Sequence, residues 1–186
     1  ITGWSYGIGE TSTLLIPNVK GGATIKPEKG GNKFLAMADL KEAKEGLKAG
    51  KISQNDYQYL MQFPQYFGDQ PMTNGPVYVG VLIFVLFVLG CIIVKGPMKW
   101  TLLAVTVLSI LLSWGHNFMW LTDLFIDHFP MYNKFRTVSS ILVIAEFTIP
   151  LLAMLALNKL FTEEDFFKKH FRAIMISFGG CAAVCL

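Results

Sequence analysis

Residues 77–94 read VYVGVLIFVLFVLGCIIV and contain no charged side chain. A run of this length and composition is typical of a membrane-spanning helix, because an α-helix rises about 1.5 Å per residue and a bilayer's hydrocarbon core is roughly 30 Å thick. Three further apolar runs follow, at residues 100–114, 138–157 and 173–186. The sequence therefore predicts an all-α membrane protein, a polytopic transmembrane helical bundle.

The composition agrees with the membrane class, since 53% of the residues are hydrophobic and only 16% are charged. Residues 1–76 hold most of the glycine and proline, and we expect them to form a small helical extracytoplasmic segment in front of the bundle at residues 77–186. The chain starts at isoleucine and ends inside an apolar run, so we expect an internal segment of a longer protein.

The sequence does not indicate a nucleic-acid-binding surface, a disulfide framework or a cysteine metal site. The net charge of +3 comes without a basic stripe, so we expect no nucleic-acid partner. The cysteines Cys91, Cys181 and Cys185 all lie in apolar runs and have neither disulfide nor metal spacing, which predicts buried apolar side chains.

The loops predict an orientation in the membrane. Residues 95–99 and 158–172 are rich in lysine and arginine, whereas residues 115–137 hold only Lys134 and Arg136. By the positive-inside rule, the first two loops are cytoplasmic and the third is outside. Residues 1–76 then also lie outside.

The first segment contains two predicted helices. Residues 34–48 have the apolar spacing of an amphipathic helix that Gly50 would end, and a second helix is predicted from Ser53 to Pro64. We favour the interpretation that these helices pack on the membrane part, since no chemistry is visible in them.

The outer loop at residues 115–137 is the densest candidate site. Its ionisable side chains include His116, Asp123, Asp127 and His128. Asp123 and Asp127 share a face if the segment is helical, so with His128 they could bind a divalent cation or act as acid and base. A solvated helix face is the favoured alternative, because the spacing fits no metal motif.

Two charged residues flank or enter the third apolar run. Arg136 could grip a phosphate bidentately, or it could be an interfacial anchor that snorkels to water. Glu146 lies nine residues into the run, where an ionisable group is expensive and predicts a functional site. Its alternatives are a pair with a basic group on another helix or a protonated acid inside the bundle. Pro150 would free a backbone carbonyl nearby.

Three stretches resemble the YfhO family of bacterial multi-pass membrane proteins, in its Bacteroidetes form: SYGIGETSTLLIPNVKGG (5–22), YFGDQPMTNGPVYVG (66–80) and FPMYNKFRTVSSILVIAEF (129–147). The shared features are Glu10 followed by Pro17, a Tyr-x-Gly before the first apolar run, and a proline-led loop that ends in Phe135–Arg136.

The family is similar to the GT-C glycosyltransferases, which take a sugar from a polyprenyl-phosphate carrier on the outer face of the membrane. The resemblance implies a location in the bacterial inner (cytoplasmic) membrane and a catalytic acid outside this segment. It also implies that Arg136, with Lys134, holds the carrier phosphate. Glu146 would order the bundle below the outer cavity, whose lining is predicted to be Asp69, Asp123, Asp127, His116 and His128.

Two rival hypotheses stay open. One is a transporter or flippase of lipid-linked material, with Glu146 beside Pro150 as a coupling site. The other is a non-catalytic membrane subunit that docks an envelope protein complex. Membrane lipids are a partner under all three hypotheses, and a divalent cation is an open question for the cofactor.

Overall fold

The computed structural model describes residues 3–29, 31–73, 75, 77–130, 132–134 and 137–185, with the side chain of residue 133 outside this set, and this part of the chain is mostly helical. The α-helices are α1 (Lys41–Lys48), α2 (Gln54–Leu60), α3 (Val81–Ile93), α4 (Pro97–Ser113), α5 (Met119–His128), α6 (Leu142–Thr162) and α7 (Phe166–Cys185). Short 3-10 helices lie at Gly9–Leu14, Met37–Asp39, Gly115–Phe118, Tyr132–Lys134 and Val138–Ile141.

An antiparallel hairpin, β1 (Ile25–Glu28) and β2 (Gly31–Phe34), adds a small sheet that the sequence analysis did not predict. The two helices predicted in the first segment are present, although shorter than predicted. The first is a 3-10 turn followed by α1, and the second is α2, whose N-cap Ser53 accepts a hydrogen bond from the backbone of Asp56.

Helix α6 is the centre of the bundle, packed against α3 and α4, while α7 packs against α3. Its inward face is fully buried and includes Ala145, Ile149 and Leu152. Close approach to α3 depends on Gly90, because a Cβ there would lie 2.8 Å from the backbone oxygen of Leu152. The sequence folds this way because small and branched side chains on α6 fill the space between its neighbours.

The helix lengths confirm only part of the predicted membrane pattern. Val138–Thr162 is long and apolar enough to cross a membrane, and Pro97–Ser113 with Gly115–His128 passes the same test only as a pair that is bent by 111°. The first predicted span is the shorter apolar helix Val81–Ile93. The fourth includes the charged start of α7, where His170 departs from helical backbone angles. By length and composition, the described chain thus has one or two candidate spans.

Polar contacts lie at both ends of the bundle. The first residues of the chain bind where α4 ends and where α6 begins, through hydrogen bonds from Tyr6 N to Ser113 O at 2.8 Å and from Ser139 N to Trp4 O at 3.2 Å. At the other end, Lys159 donates to the carbonyl of Ile93, where α3 ends, at 2.8 Å. We call the first end the polar end and the second the basic end.

Candidate functional site

A buried carboxylate, Glu10, lies at the polar end of the bundle. It is 2% exposed, in the 3-10 helix Gly9–Leu14. Its Oε2 accepts a hydrogen bond from the backbone N–H of Gly7 at 2.5 Å, and its Oε1 accepts one from the hydroxyl of Tyr66. A side chain at Gly68 would overlap both Oε1 and the Tyr66 hydroxyl. The Tyr66-Phe67-Gly68 sequence therefore supplies one donor to Glu10 and the space that the pair needs.

Two tyrosines near Glu10 keep their protons. Burial, with the nearby charges of Glu10 and Glu146, raises the pKa of Tyr6 to about 12, although a hydrogen bond with Thr13 at 2.5 Å opposes the shift. Burial also raises the pKa of Tyr66, and its hydrogen bond to Glu10 adds to that effect. Both phenols are therefore neutral at physiological pH, since deprotonation would place a second charge beside a carboxylate.

These groups line a cavity of about 260 Å³, which we call the polar cavity. Most of its described lining side chains carry hydroxyl, amide or carboxylate groups: Tyr6, Glu10, Tyr66, Gln70, Thr73, Thr137, Ser139 and Ser140. Within this described lining, Glu10 is the only charged side chain. Several of these groups already hydrogen-bond within the protein, while the side chains of Gln70, Thr137 and Ser139 make no hydrogen bond among the described residues and can bond to the hydroxyl groups of a ligand.

A second cavity, of about 270 Å³, has a mostly apolar wall, and we call it the apolar cavity. Thr137 and Ser140 line both cavities, so the two adjoin at the start of α6. Tyr132 also lines the apolar cavity, and its hydroxyl is buried without a hydrogen-bond partner among the described residues. A ligand with a polar and an apolar part would satisfy the chemistry of both walls.

Two of the predicted cavity residues lie beside this site. Asp69 accepts a hydrogen bond from the side-chain amide of Asn117 at 3.1 Å, and the same amide donates to the backbone oxygen of Tyr6 at 3.1 Å. The backbone N–H of His116 donates to Ser5, but its imidazole is exposed. Asp69 therefore neighbours the polar cavity without belonging to its described lining.

The remaining loop residues do not converge on the two cavities. Asp123, Asp127 and His128 are exposed on α5, and the ring of His128 is 3.0 Å from the carbonyl of Leu124. Among the residues that the structure describes, no three acidic, histidine or cysteine side chains group closely enough to hold a metal ion. Lys134 is exposed.

Two residues stand apart from the others. Arg136 lies outside the described residues, so its predicted role stays a prediction. Glu146 is exposed on the outside of α6 and is close enough to Tyr6 to contribute to its raised pKa. It lies one turn after Leu142, which lines the polar cavity.

The sequence analysis missed the main carboxylate of the site, because Glu10 had been noted only as part of the resemblance to a family. The available signal was an acid between glycine-rich and apolar stretches, with no basic residue at helical spacing. Its partner Tyr66 is 56 residues away in the sequence, and only the folded chain brings the two together. Comparison of the chain with protein-family models, with curated proteins and with solved structures finds no match.

Proposed function

We propose that the chain is a segment of an integral membrane, GT-C-like glycosyltransferase that binds a polyprenyl-phosphate-linked sugar on the outer face of the membrane. One observation carries this proposal: a hydroxyl-rich cavity and an apolar cavity adjoin at Thr137 and Ser140. A lipid-linked sugar has the same two halves in the same order, so the sugar would occupy the polar cavity and the start of the lipid chain the apolar cavity.

The carrier phosphate would lie where the two cavities meet. Thr137 lines both of them and directly follows Arg136 in the sequence. An arginine at this position would hold a phosphate bidentately, and Lys134 would add a second positive charge. Glu10 would accept hydrogen bonds from the sugar hydroxyls, while the resemblance implies that the catalytic acid lies elsewhere in the protein.

The surface of the bundle supports the proposed membrane location. Large apolar side chains face outward on each of the four long helices, including Leu82 on α3, Val107 on α4, Phe147 on α6 and Phe178 on α7. Leu82 is 67% exposed and Phe147 is 68% exposed, and apolar surface of this extent is costly in water. The proposed crossing has the basic end in the cytoplasm and the polar end outside, in agreement with the positive-inside rule.

Binding and transfer by the full-length protein in proteoliposomes test this proposal. Arg136→Ala is expected to abolish binding of both polyprenyl phosphate and the polyprenyl-phosphate sugar. Glu10→Gln is expected to weaken only the sugar-bearing lipid, about tenfold, because it replaces a charged acceptor by a neutral one. Glu28→Gln, an exposed acid in β1, is the control and should change neither.

Two results would overturn the proposal. One is a wild-type protein that binds neither lipid. The other is equal binding of both lipids by wild type, Arg136→Ala and Glu10→Gln, which would mean that the cavities are not the ligand site.

The exposure of Glu146 favours a second candidate, a membrane subunit of an envelope protein complex. A carboxylate on the outside of an apolar helix is expensive in lipid, and no side chain among the described residues pairs with it. A basic group on a partner chain would remove that cost. Purification of the full-length protein under mild conditions would test this, since Glu146→Gln should release a partner that the control Glu164→Gln, at an exposed acid, retains.

A further inference from the structure

Four uncharged polar side chains lie together on an exposed surface formed by α2 and the turn after it. Asn55, Gln58 and Tyr59 of α2, with Gln62 in that turn, line a shallow cavity of about 410 Å³. The opposite side of the helix is fixed to the protein, because the Tyr57 hydroxyl donates to the carbonyl of Ala38 at 3.1 Å. We call this face the amide face.

The neighbouring helix shows how unusual this face is. Helix α1, in the same segment, has the sequence KEAKEGLK and covers its exposed side with lysine and glutamate. Charged side chains are what solvated helix surfaces usually carry. The amide face has none, although it is equally exposed, so it differs from α1 in the chemistry that it presents to a ligand.

The hydrogen-bonding capacity of the amide face is unused within the protein. No intramolecular hydrogen bond involves the side chains of Asn55, Gln58 or Gln62 in the described part of the chain. Each amide offers two donors and one acceptor oxygen. Tyr59 is 63% exposed and adds an aromatic ring with a hydroxyl at its edge.

We propose that the amide face binds a neutral saccharide. Paired hydroxyl groups of a sugar both donate and accept, and they match amide side chains better than any ion does. The Tyr59 ring offers a flat apolar surface for the C–H face of a pyranose. The described lining has no basic side chain that would favour phosphate, sulfate or carboxylate groups over a neutral ligand. This inference does not depend on the proposed function.

Titration of the full-length protein with neutral oligosaccharides tests the proposal. The probes are cellohexaose, maltohexaose and chitohexaose, followed by calorimetry or saturation-transfer NMR. Nanodiscs are needed instead of maltoside detergents, because the detergent headgroup is itself a sugar and would compete. At least one probe should bind with a dissociation constant below about 10 mM, which is in the range of weak exposed sites.

The variants separate stacking from general damage. Tyr59→Ala is expected to weaken binding at least tenfold, whereas Tyr59→Phe keeps the ring and should keep most of the affinity. Gln58→Ala should also weaken binding, and Lys48→Ala on α1 is the matched control that should not.

Two outcomes would overturn the proposal. The first is no binding of any of the three probes. The second is binding of hexagalacturonic acid as tightly as of the best neutral probe, with loss in Lys48→Ala and no loss in Tyr59→Ala. That pattern would assign the affinity to charge on α1 instead of to the amide face.

Discussion

Replacement of Gly68 by alanine should disrupt the buried pair of Glu10 and Tyr66. The backbone of Gly68 does not require glycine, so this change tests space alone, and the added methyl group would overlap both Oε1 of Glu10 and the Tyr66 hydroxyl. The pair must separate. Loss of a hydrogen bond to a charged group costs about 1.5–3 kcal/mol, and forcing a methyl into a filled site costs about 1–3 kcal/mol.

A destabilisation of about 3 kcal/mol corresponds to a fall in Tm of about 6–12 °C for a protein of this size. Thermal unfolding of the purified protein, followed by tryptophan fluorescence, measures it. Gly3→Ala is the matched control, since nothing lies within 4 Å of a Cβ at Gly3. Ultraviolet titration adds a local readout, because separation from Glu10 should lower the raised pKa of Tyr66. Equal Tm values for the two variants, with an unchanged tyrosine titration, would refute the assigned geometry.

Three further predictions use the same protein. Gly90→Ala should lower the Tm, because the added methyl group would meet the backbone of α6, whereas Gly180→Ala, with open space around it, should leave the Tm unchanged or raise it. Thermal unfolding measures both, and equal shifts in Tm would contradict the packing of α3 on α6. The pKa of Tyr6 is raised from 10.0 to about 12, so the stability that Tyr6 contributes is present below pH 10 and should be lost as the pH rises from 10 to 12. In a series of Tm values measured across this pH range, Tyr6→Phe should lack the part of the decrease that Tyr6 causes. At the basic end, partial desolvation raises the pKa of Glu163, but the hydrogen bond with His170 and nearby positive charges outweigh it and lower the pKa overall. Stability from Glu163 should therefore be present above its ordinary pKa and lost as the pH falls, and an acid titration of Glu163→Gln that keeps the wild-type slope would contradict this.

The helical class could be predicted because its cause is local. Apolar runs and helix stop signals lie next to each other in the chain, so the runs predicted at 100–114 and 138–157 lie near the observed bounds of α4 and α6, and α2 begins at its serine cap. The lengths of α3 and α7 could not be predicted from hydropathy. Gly80, with its positive φ, directly precedes α3, so the helix begins four residues after the start of the first apolar run. The charged start of α7 belongs to the same helix as the last run, and its Phe166 packs in one buried cluster with Leu89 and Ile93 of α3.

The site could be predicted only in part, and the reason is again sequence distance. The polar loop at residues 115–137 attracted attention because its charged residues are neighbours in the chain. The polar cavity instead combines residues near 6–10, 66–75 and 137–142. Its acid, Glu10, accepts hydrogen bonds from Gly7, three residues away, and from Tyr66, 56 residues away. No local sequence pattern predicts the second of these.

The sequence by itself determined that the chain is mostly helical, with apolar helices and polar segments between them, because both properties follow from side-chain solvation and short-range backbone preferences. Only the tertiary structure decided which polar groups meet. Burial at the polar end pairs Glu10 with Tyr66 through a hydrogen bond and Tyr6 with Thr13, while Asp123 and Asp127 remain exposed on α5. A buried charge must find its partners wherever the folded chain brings them, and an exposed charge is satisfied by water.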